Sequence, residues 1–177
     1  EGIKQNRSGL GPITRFDTAE FATKIAAEVK GFEARNFMDG KEARKMDLFS
    51  QYAVAASAEA MKDAGLPAGS FDPTRTGVIL GIGIGGFETF ETAHRALFEK
   101  GPTRVPPMAI PKLIANIGPG NVAINLNLQG PCMAVTTACS SGTDAIGMAT
   151  GWIEKGLCDF IVAGGVEATI TPFGIAG

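Results

Sequence analysis

The chain has 177 residues, enough for one domain with a real core and hardly enough for two. Its net charge of -2, with no basic run and no basic residues interleaved with aromatics, gives nucleic-acid binding nothing to stand on. No run of 18 apolar residues and no signal-peptide pattern occur, so the expectation is a soluble cytoplasmic protein without membrane contact.

The 24 glycines amount to about twice the usual share of roughly 7%. They cluster at 81–86, 118–120 and 164–165 beside apolar runs, a pattern of close backbone packing rather than of a linker. Three cysteines, Cys132, Cys139 and Cys158, have neither disulfide-framework nor zinc spacing. Cys132 and Cys158 read as buried thiols.

Residues 1–16 read as irregular. Asp17 or Thr18 can cap a short helix to about residue 24, and 25–29 fits either its continuation or an edge strand. The alternating charges of 33–46 fit a solvated loop with short turns. Asp47 caps a helix over 48–64, in which Phe49, Ala53, Ala56, Ala60 and Ala64 recur at three- and four-residue spacing; Gly65 and Pro67 stop it. Residues 76–82 form an unbroken apolar strand, as in a sheet covered on both faces. A helix follows over 86–100, stopped by Gly101-Pro102, and then a proline-rich fixed loop over 102–111. Pro111 and Pro119 each fit the first turn of a helix, ending near 117 and 128. Gly130-Pro131 leads into a strand over 133–138. A helix over 141–155 places Ile146, Ala149, Thr150 and Ile153 on one face, and 160–163 is a further apolar strand. Strands without a polar face, separated by helices, describe a layered α/β domain. The sequence stops soon after the last strand, and a longer polypeptide is expected.

Gly81-Ile82-Gly83-Ile84-Gly85-Gly86 satisfies G-x-G-x-x-G between a strand and a helix. Its context fails the dinucleotide reading, because the proline-rich loop stands about 20 residues on, where a second strand should end in Asp or Glu. The other reading is that these glycines admit close backbone approach and leave Ile84 and Phe87 to line an apolar site. No bound cofactor and no metal are expected.

Cys139 lies where the 133–138 strand meets the 141–155 helix. From position alone it fits a core cysteine as well as a reactive one. The small residues Ser140-Ser141-Gly142-Thr143 favour the second reading. They leave the sulfur uncrowded, and Gly142 allows a sharp strand-to-helix turn. The free amides of a helix start favour negative charge on a thiol and can be aimed at an acyl oxygen. A base is lacking: thiolate chemistry usually pairs with histidine, and the single histidine, His94, sits among charged neighbours on the 86–100 helix as a surface or interface residue.

Thr137-Ala138-Cys139-Ser140-Ser141-Gly142 resembles the nucleophile motif of the β-ketoacyl-[acyl-carrier-protein] synthases, and Ala163-Gly164-Gly165-Val166-Glu167 follows it at the family's distance. Lys45-Met46-Asp47-Leu48-Phe49, the glycines of 81–86 and the prolines of 106–111 stand in family order, so the resemblance runs along essentially the whole chain and is nearest the synthase II branch. It implies a thiolase-like fold, layered α-β-α, with 1–177 as one partial N-terminal domain that lacks the opening βα unit and the C-terminal half.

It also implies an activity. Cys139 would take an acyl chain from acyl carrier protein, and the carbanion of decarboxylated malonyl-carrier protein would attack that thioester in fatty acid elongation. Phosphopantetheine would arrive only on the carrier. Ile84, with Phe87 beside it, would line the acyl pocket, and the loop at Met108 and Ala109 would reach across a homodimer. The branch usually carries bulky aromatics near that loop, so chain-length preference stays open. Asp144 stands where some members have histidine, and no catalytic role is assigned to it. The histidines that assist decarboxylation belong to the second half, so these residues alone would at most be acylated. Two other readings remain: a ketosynthase of a polyketide pathway, and a non-catalytic partner subunit, against which the retained Cys139 argues.

Overall fold

The apolar run that begins at Thr76 becomes the middle strand of a three-stranded parallel sheet. The computed structural model describes residues 2–177, which fall into two compact units: residues 2–33 with Thr169–Gly177, and Ala34–Ala168. In the first unit, β1 (Gly11–Pro12) and β2 (Ile25–Ala26) pair antiparallel, and no helix forms over 18–24. Asp17 caps only a turn there, accepting from the Ala19 N–H at 3.0 Å. The Glu28 carboxylate accepts from the Thr14 N–H at 2.9 Å and the Thr14 hydroxyl at 2.7 Å. These bonds hold its carboxyl below the usual range, the hydroxyl bond first. A single-turn helix, Pro172–Ala176, is capped by Thr171.

The second unit carries the sheet. Its elements are α1 (Gly40–Arg44), α2 (Leu48–Asp63), β3 (Thr76–Gly81), α3 (Phe87–Lys100), α4 (Ala109–Leu113), α5 (Ile117–Leu126), β4 (Cys132–Val135), α6 (Ser141–Glu154) and β5 (Phe160–Gly165). The strand order is β4-β3-β5, with Gly81 opposite Val135 on one side and Gly165 on the other. Every residue of β3 is buried, and its side chains alternate between two cores. Val78, Leu80 and Ile82 pack with Phe49, Ala53 and Val54 of α2 and Val122 of α5. Ile79 packs on the other face with Ala145 and Ala149 of α6. The sheet is therefore sandwiched between α2 and α5 on one side and α6 on the other, the layered α-β-α order expected.

Several expectations change. In α2 the buried face is Phe49, Ser50, Ala53, Val54 and Ser57, whereas Ala56, Ala60 and Ala64 are exposed. Alanine spacing does not choose a face; the bulkier Phe49 and Val54 do. Residues 33–46 are more than a solvated loop: Met38, Ala43 and Met46 are buried, and Asp39 caps α1 by accepting from the Lys41 N–H at 2.7 Å. Helices α4 and α5 start two residues before their prolines. Each proline thus occupies the third helical position, where its missing N–H is still one that the helix leaves unpaired. In α6 the inward residues are Ala145 and Ala149 with Trp152, while Ile146, Thr150 and Ile153 are exposed. Strand β4 ends at Val135, three residues short of the expected end, because the chain turns there. Among the described residues no helix is long and apolar enough to cross a membrane.

Candidate active site

Three glycines bring the start of α6 against the ends of the strands. A Cβ on Gly81, the last residue of β3, would lie 2.1 Å from the Ser141 carbonyl carbon and 2.4 Å from the Gly142 nitrogen. A Cβ on Gly142 would lie 3.2 Å from the Gly165 Cα. Gly142 therefore serves close helix–strand approach. The sharp turn is made earlier, by Ala138, at φ 54°. A non-glycine residue in that left-handed region costs on the order of 1 kcal/mol, so its surroundings must hold it there.

The hydrogen bonds of the turn supply that hold. The Thr136 hydroxyl donates to the Ile82 carbonyl at 2.8 Å. The buried Ser141 side chain accepts from the Thr137 N–H at 2.9 Å and donates to the Ala138 carbonyl at 2.6 Å. The hydroxyls of Thr137 and Ser140 both reach Asp144 Oδ2, the first in a very short contact and the second at 3.1 Å. Between them Cys139 is exposed. The N-cap residue Ser140 makes no side-chain capping bond, while the Ser141 N–H donates to the Ala138 carbonyl at 3.1 Å, so the positive end of the helix meets this turn. Cys158 is buried, which pushes its thiol up, although nearby Arg75 pulls the other way. Cys132 is exposed rather than buried, because β4 is an edge strand and Cys132 opens it.

The 82–86 loop lies beside this turn. The Glu167 carboxylate accepts from the Ile84 N–H at 2.7 Å and the Gly85 N–H at 3.1 Å. A Cβ on Gly83 would sit 3.0 Å from Glu167 Oε2 and 3.9 Å from the Ala138 carbonyl oxygen. The Gly86 N–H donates to the Leu113 carbonyl at 2.9 Å, tying the end of α4 to the same loop. The start of α3 is fixed to α2 by buried Asp47, which accepts from the Phe49 N–H at 3.3 Å with one oxygen and from the Thr89 N–H and hydroxyl, at 2.9 and 2.6 Å, with the other.

Of the residues expected at the site, Ile84 sits on the loop whose Gly83 faces the Ala138 carbonyl, and it is 53% exposed. Phe87 is half-buried at the start of α3. Met108 is exposed and Ala109 buried at the start of α4, whose link to the turn runs through Gly85 and Gly86. His94 is exposed and packs between Phe90 and Phe98, with ring centroids 5.9 and 4.6 Å away. Two residues had carried no role in the sequence: Glu167, quoted only as part of a motif, and Asp144. The signal for Asp144 was an acidic residue in the first turn of the helix after Cys139. Glu167 gave none, since its partners lie more than 80 residues earlier.

Known proteins resemble the chain along its whole length. The model of the β-ketoacyl synthase N-terminal domain matches residues 1–177. The 3-oxoacyl-[acyl-carrier-protein] synthase 2 of Vibrio cholerae is 47% identical over all of this chain and 43% of its own length. That of Synechocystis is 43% identical over all of this chain and 42% of its own. The chain thus spans less than half the length of these relatives. Among solved structures, the ishigamide ketosynthase/chain length factor superposes with TM-score 0.87 at 30% identity, covering 94% of this chain and 42% of that one. A β-ketoacyl synthase from Burkholderia phymatum superposes with TM-score 0.73 at 31% identity, covering 89% and 39%. The fold is the thiolase-like α/β fold of ketosynthases, of which these residues form the N-terminal portion.

Proposed function

Because the chain belongs to the β-ketoacyl synthase family, matching its N-terminal domain throughout, we propose that Cys139 is the acyl-accepting nucleophile of a 3-oxoacyl-[acyl-carrier-protein] synthase. The observation that carries this reading is an exposed thiol on a turn whose flanking residues are each tied down, set at a helix start whose N-cap residue makes no side-chain capping bond. The Cys139 sulfur attacks the carbonyl carbon of an acyl thioester on acyl carrier protein. The carbon–sulfur bond to the carrier breaks, and the carrier thiol leaves with the proton that the cysteine gave up. The backbone N–H of Cys139 contributes a donor to the tetrahedral oxyanion. Malonyl-carrier protein then loses CO2, its remaining carbon nucleophile forms a new carbon–carbon bond at the Cys139 acyl carbonyl, and the cysteine sulfur is released. Decarboxylation needs donors to steady the developing enolate. His94 is engaged with Phe90 and Phe98 on α3, so we assign that step to groups outside these 177 residues.

Ile84 and Phe87 line the acyl chain's path, and the loop at Met108, with Ala109 packed behind it, reaches towards a second copy in a homodimer. The relatives at 43% and 47% identity carry the fatty-acid-type name, which favours elongation over the polyketide reading suggested by the ketosynthase/chain length factor at 30%. The site of action is the cytoplasm. Mass spectrometry of products tests the whole reading: the intact protein, given acyl- and malonyl-carrier proteins, makes a carrier-bound 3-oxoacyl chain two carbons longer and releases CO2. Cys139→Ala makes none. Extension by that variant at the wild-type rate would overturn the proposal.

A further inference from the structure

We propose that Asp144 is a positioning residue of the nucleophile turn, holding Cys139 through the hydroxyls of Thr137 and Ser140. The inference rests on the reading of Cys139 as the acyl-accepting group. Thr137 lies two residues before the cysteine and Ser140 directly after it, and both hydroxyls converge on one oxygen, Oδ2 of Asp144. The carboxylate comes from the first turn of α6, the helix seated on Gly81 and Gly165, so its own position is set by the sheet. An acidic residue in the first turn ordinarily just faces the positive end of the helix dipole. Here the N-cap residue Ser140 makes no capping bond, and the Asp144 carboxylate turns back onto the loop.

The need for such an anchor follows from Ala138. Its left-handed backbone is disfavoured for a residue with a Cβ and persists only where neighbours over-determine it. Ser141 fixes the backbone of the turn from one side through the Thr137 N–H and the Ala138 carbonyl. The side chains on the other side have only each other, the Thr137 carbonyl and Asp144: the Ser140 hydroxyl lies 2.9 Å from that carbonyl, 3.0 Å from the Thr137 hydroxyl and 3.1 Å from Asp144. An ionised carboxylate accepts from both hydroxyls and never competes as a donor. Without it, the Ser140 hydroxyl keeps the Thr137 carbonyl, the Thr137 hydroxyl loses its acceptor, and the residues on both sides of Cys139 lose their common fixed point.

The test compares Asp144→Ala with Asp144→Asn in the intact protein. An asparagine oxygen accepts from both hydroxyls but carries no charge, so it separates anchoring from electrostatics. Two quantities are read: the rate of acyl transfer to Cys139 from acyl-carrier protein, and hydrogen exchange of the 136–141 backbone. Asp144→Ala slows acyl transfer by between about 10- and 100-fold, the scale of a reacting group set slightly out of place. The carrier KM stays unchanged, and exchange rises in 136–141. Asp144→Asn restores both to within about threefold of wild type, since the acceptor is what matters. An asparagine variant as slow as the alanine one, or an alanine variant with wild-type rate and exchange, would overturn the inference. Should Asp144→Ala fail to fold, Thr137→Val with Ser140→Ala removes the donors instead and must give the same two changes. If wild-type protein takes up no acyl group, the reading of Cys139 as nucleophile fails, and the exchange comparison alone judges whether Asp144 holds the turn.

Discussion

The two ends of β3 are held differently. At its start side chains add to backbone contacts, where the Asp159 N–H donates to the Arg75 carbonyl at 2.8 Å and the Gly130 N–H to the Thr76 carbonyl at 3.0 Å. The Arg75 guanidinium grips Asp159 with two bonds of 2.7 Å and also donates to the Gly156 carbonyl at 3.1 Å, linking the entry to β3 with the entry to β5. The Thr76 hydroxyl donates to the Asp72 carbonyl at 2.9 Å, and Cys158 fills the space beside Gly77. At the far end of the strand, side chains have been removed. Gly81 meets the backbone of Ser141 and Gly142, and Gly142 meets Gly165. Polar side chains return to fix the site: Glu167 and Ser141 bond the backbone of the 82–86 loop and of the turn, and Asp144 the hydroxyls of Thr137 and Ser140. The first end ties strands together, whereas the second sets the positions of main-chain atoms around one thiol. That is what a site working through backbone donors requires.

Matching substitutions at the two ends sharpen the contrast. Gly81→Ala forces a Cβ into the backbone of α6, which has no flexible side chain to yield, and should cost about 3 kcal/mol or more. Gly77→Ala meets the Pro131 carbonyl at 2.8 Å and the movable Cys158 sulfur at 3.2 Å, and should cost less, about 1–2 kcal/mol. Denaturant unfolding of the two variants measures the difference; equal losses would break the comparison.

The smallest effect is expected from the ion pair. Hydrogen bonds from Arg75, more than its charge alone, hold the Asp159 carboxyl below the usual carboxylate range. A depressed folded-state value means that the contribution is present above the unfolded-state value of about 4 and is lost as pH falls through the folded-state one. Both partners are substantially exposed, so the contribution is small and weakened by salt. Asp159→Asn should therefore be slightly less stable than wild type at pH 7 and low salt, and the two should converge in acid. Thermal unfolding across pH checks the sign, and a gap that widens in acid would contradict it.

What could be read from the sequence follows the range of the interactions. The β3 run, the Asp47 cap and the α6 helix depend on neighbours a few residues away and stand where their patterns put them. The face of α2 is only partly legible: Phe49 and Ala53 are buried as expected, whereas Ala56, Ala60 and Ala64 are exposed, because an alanine stripe contains too little contrast to show which side meets the sheet. The thiol at Cys139 was legible as a strand–helix junction. Its turn was not, since nothing in Thr-Ala-Cys marks Ala138 for a left-handed backbone. Glu167 gives the plainest case: its role is created only when β5 pairs with β3 and delivers a carboxylate to amides far away in the chain.

Cys132 and Cys139 are both exposed, so the location of an acyl group is a real choice between two thiols. The stretch 113–154 contains no lysine or arginine, so both cysteines fall in one tryptic peptide, and fragment ions from bonds between them are needed to tell them apart. After incubation of the intact protein with acyl-carrier protein, tandem mass spectrometry of that peptide should place the whole acyl mass on Cys139, with Cys132 unmodified. An acyl group on Cys132, or one that persists in Cys139→Ala, would contradict the account.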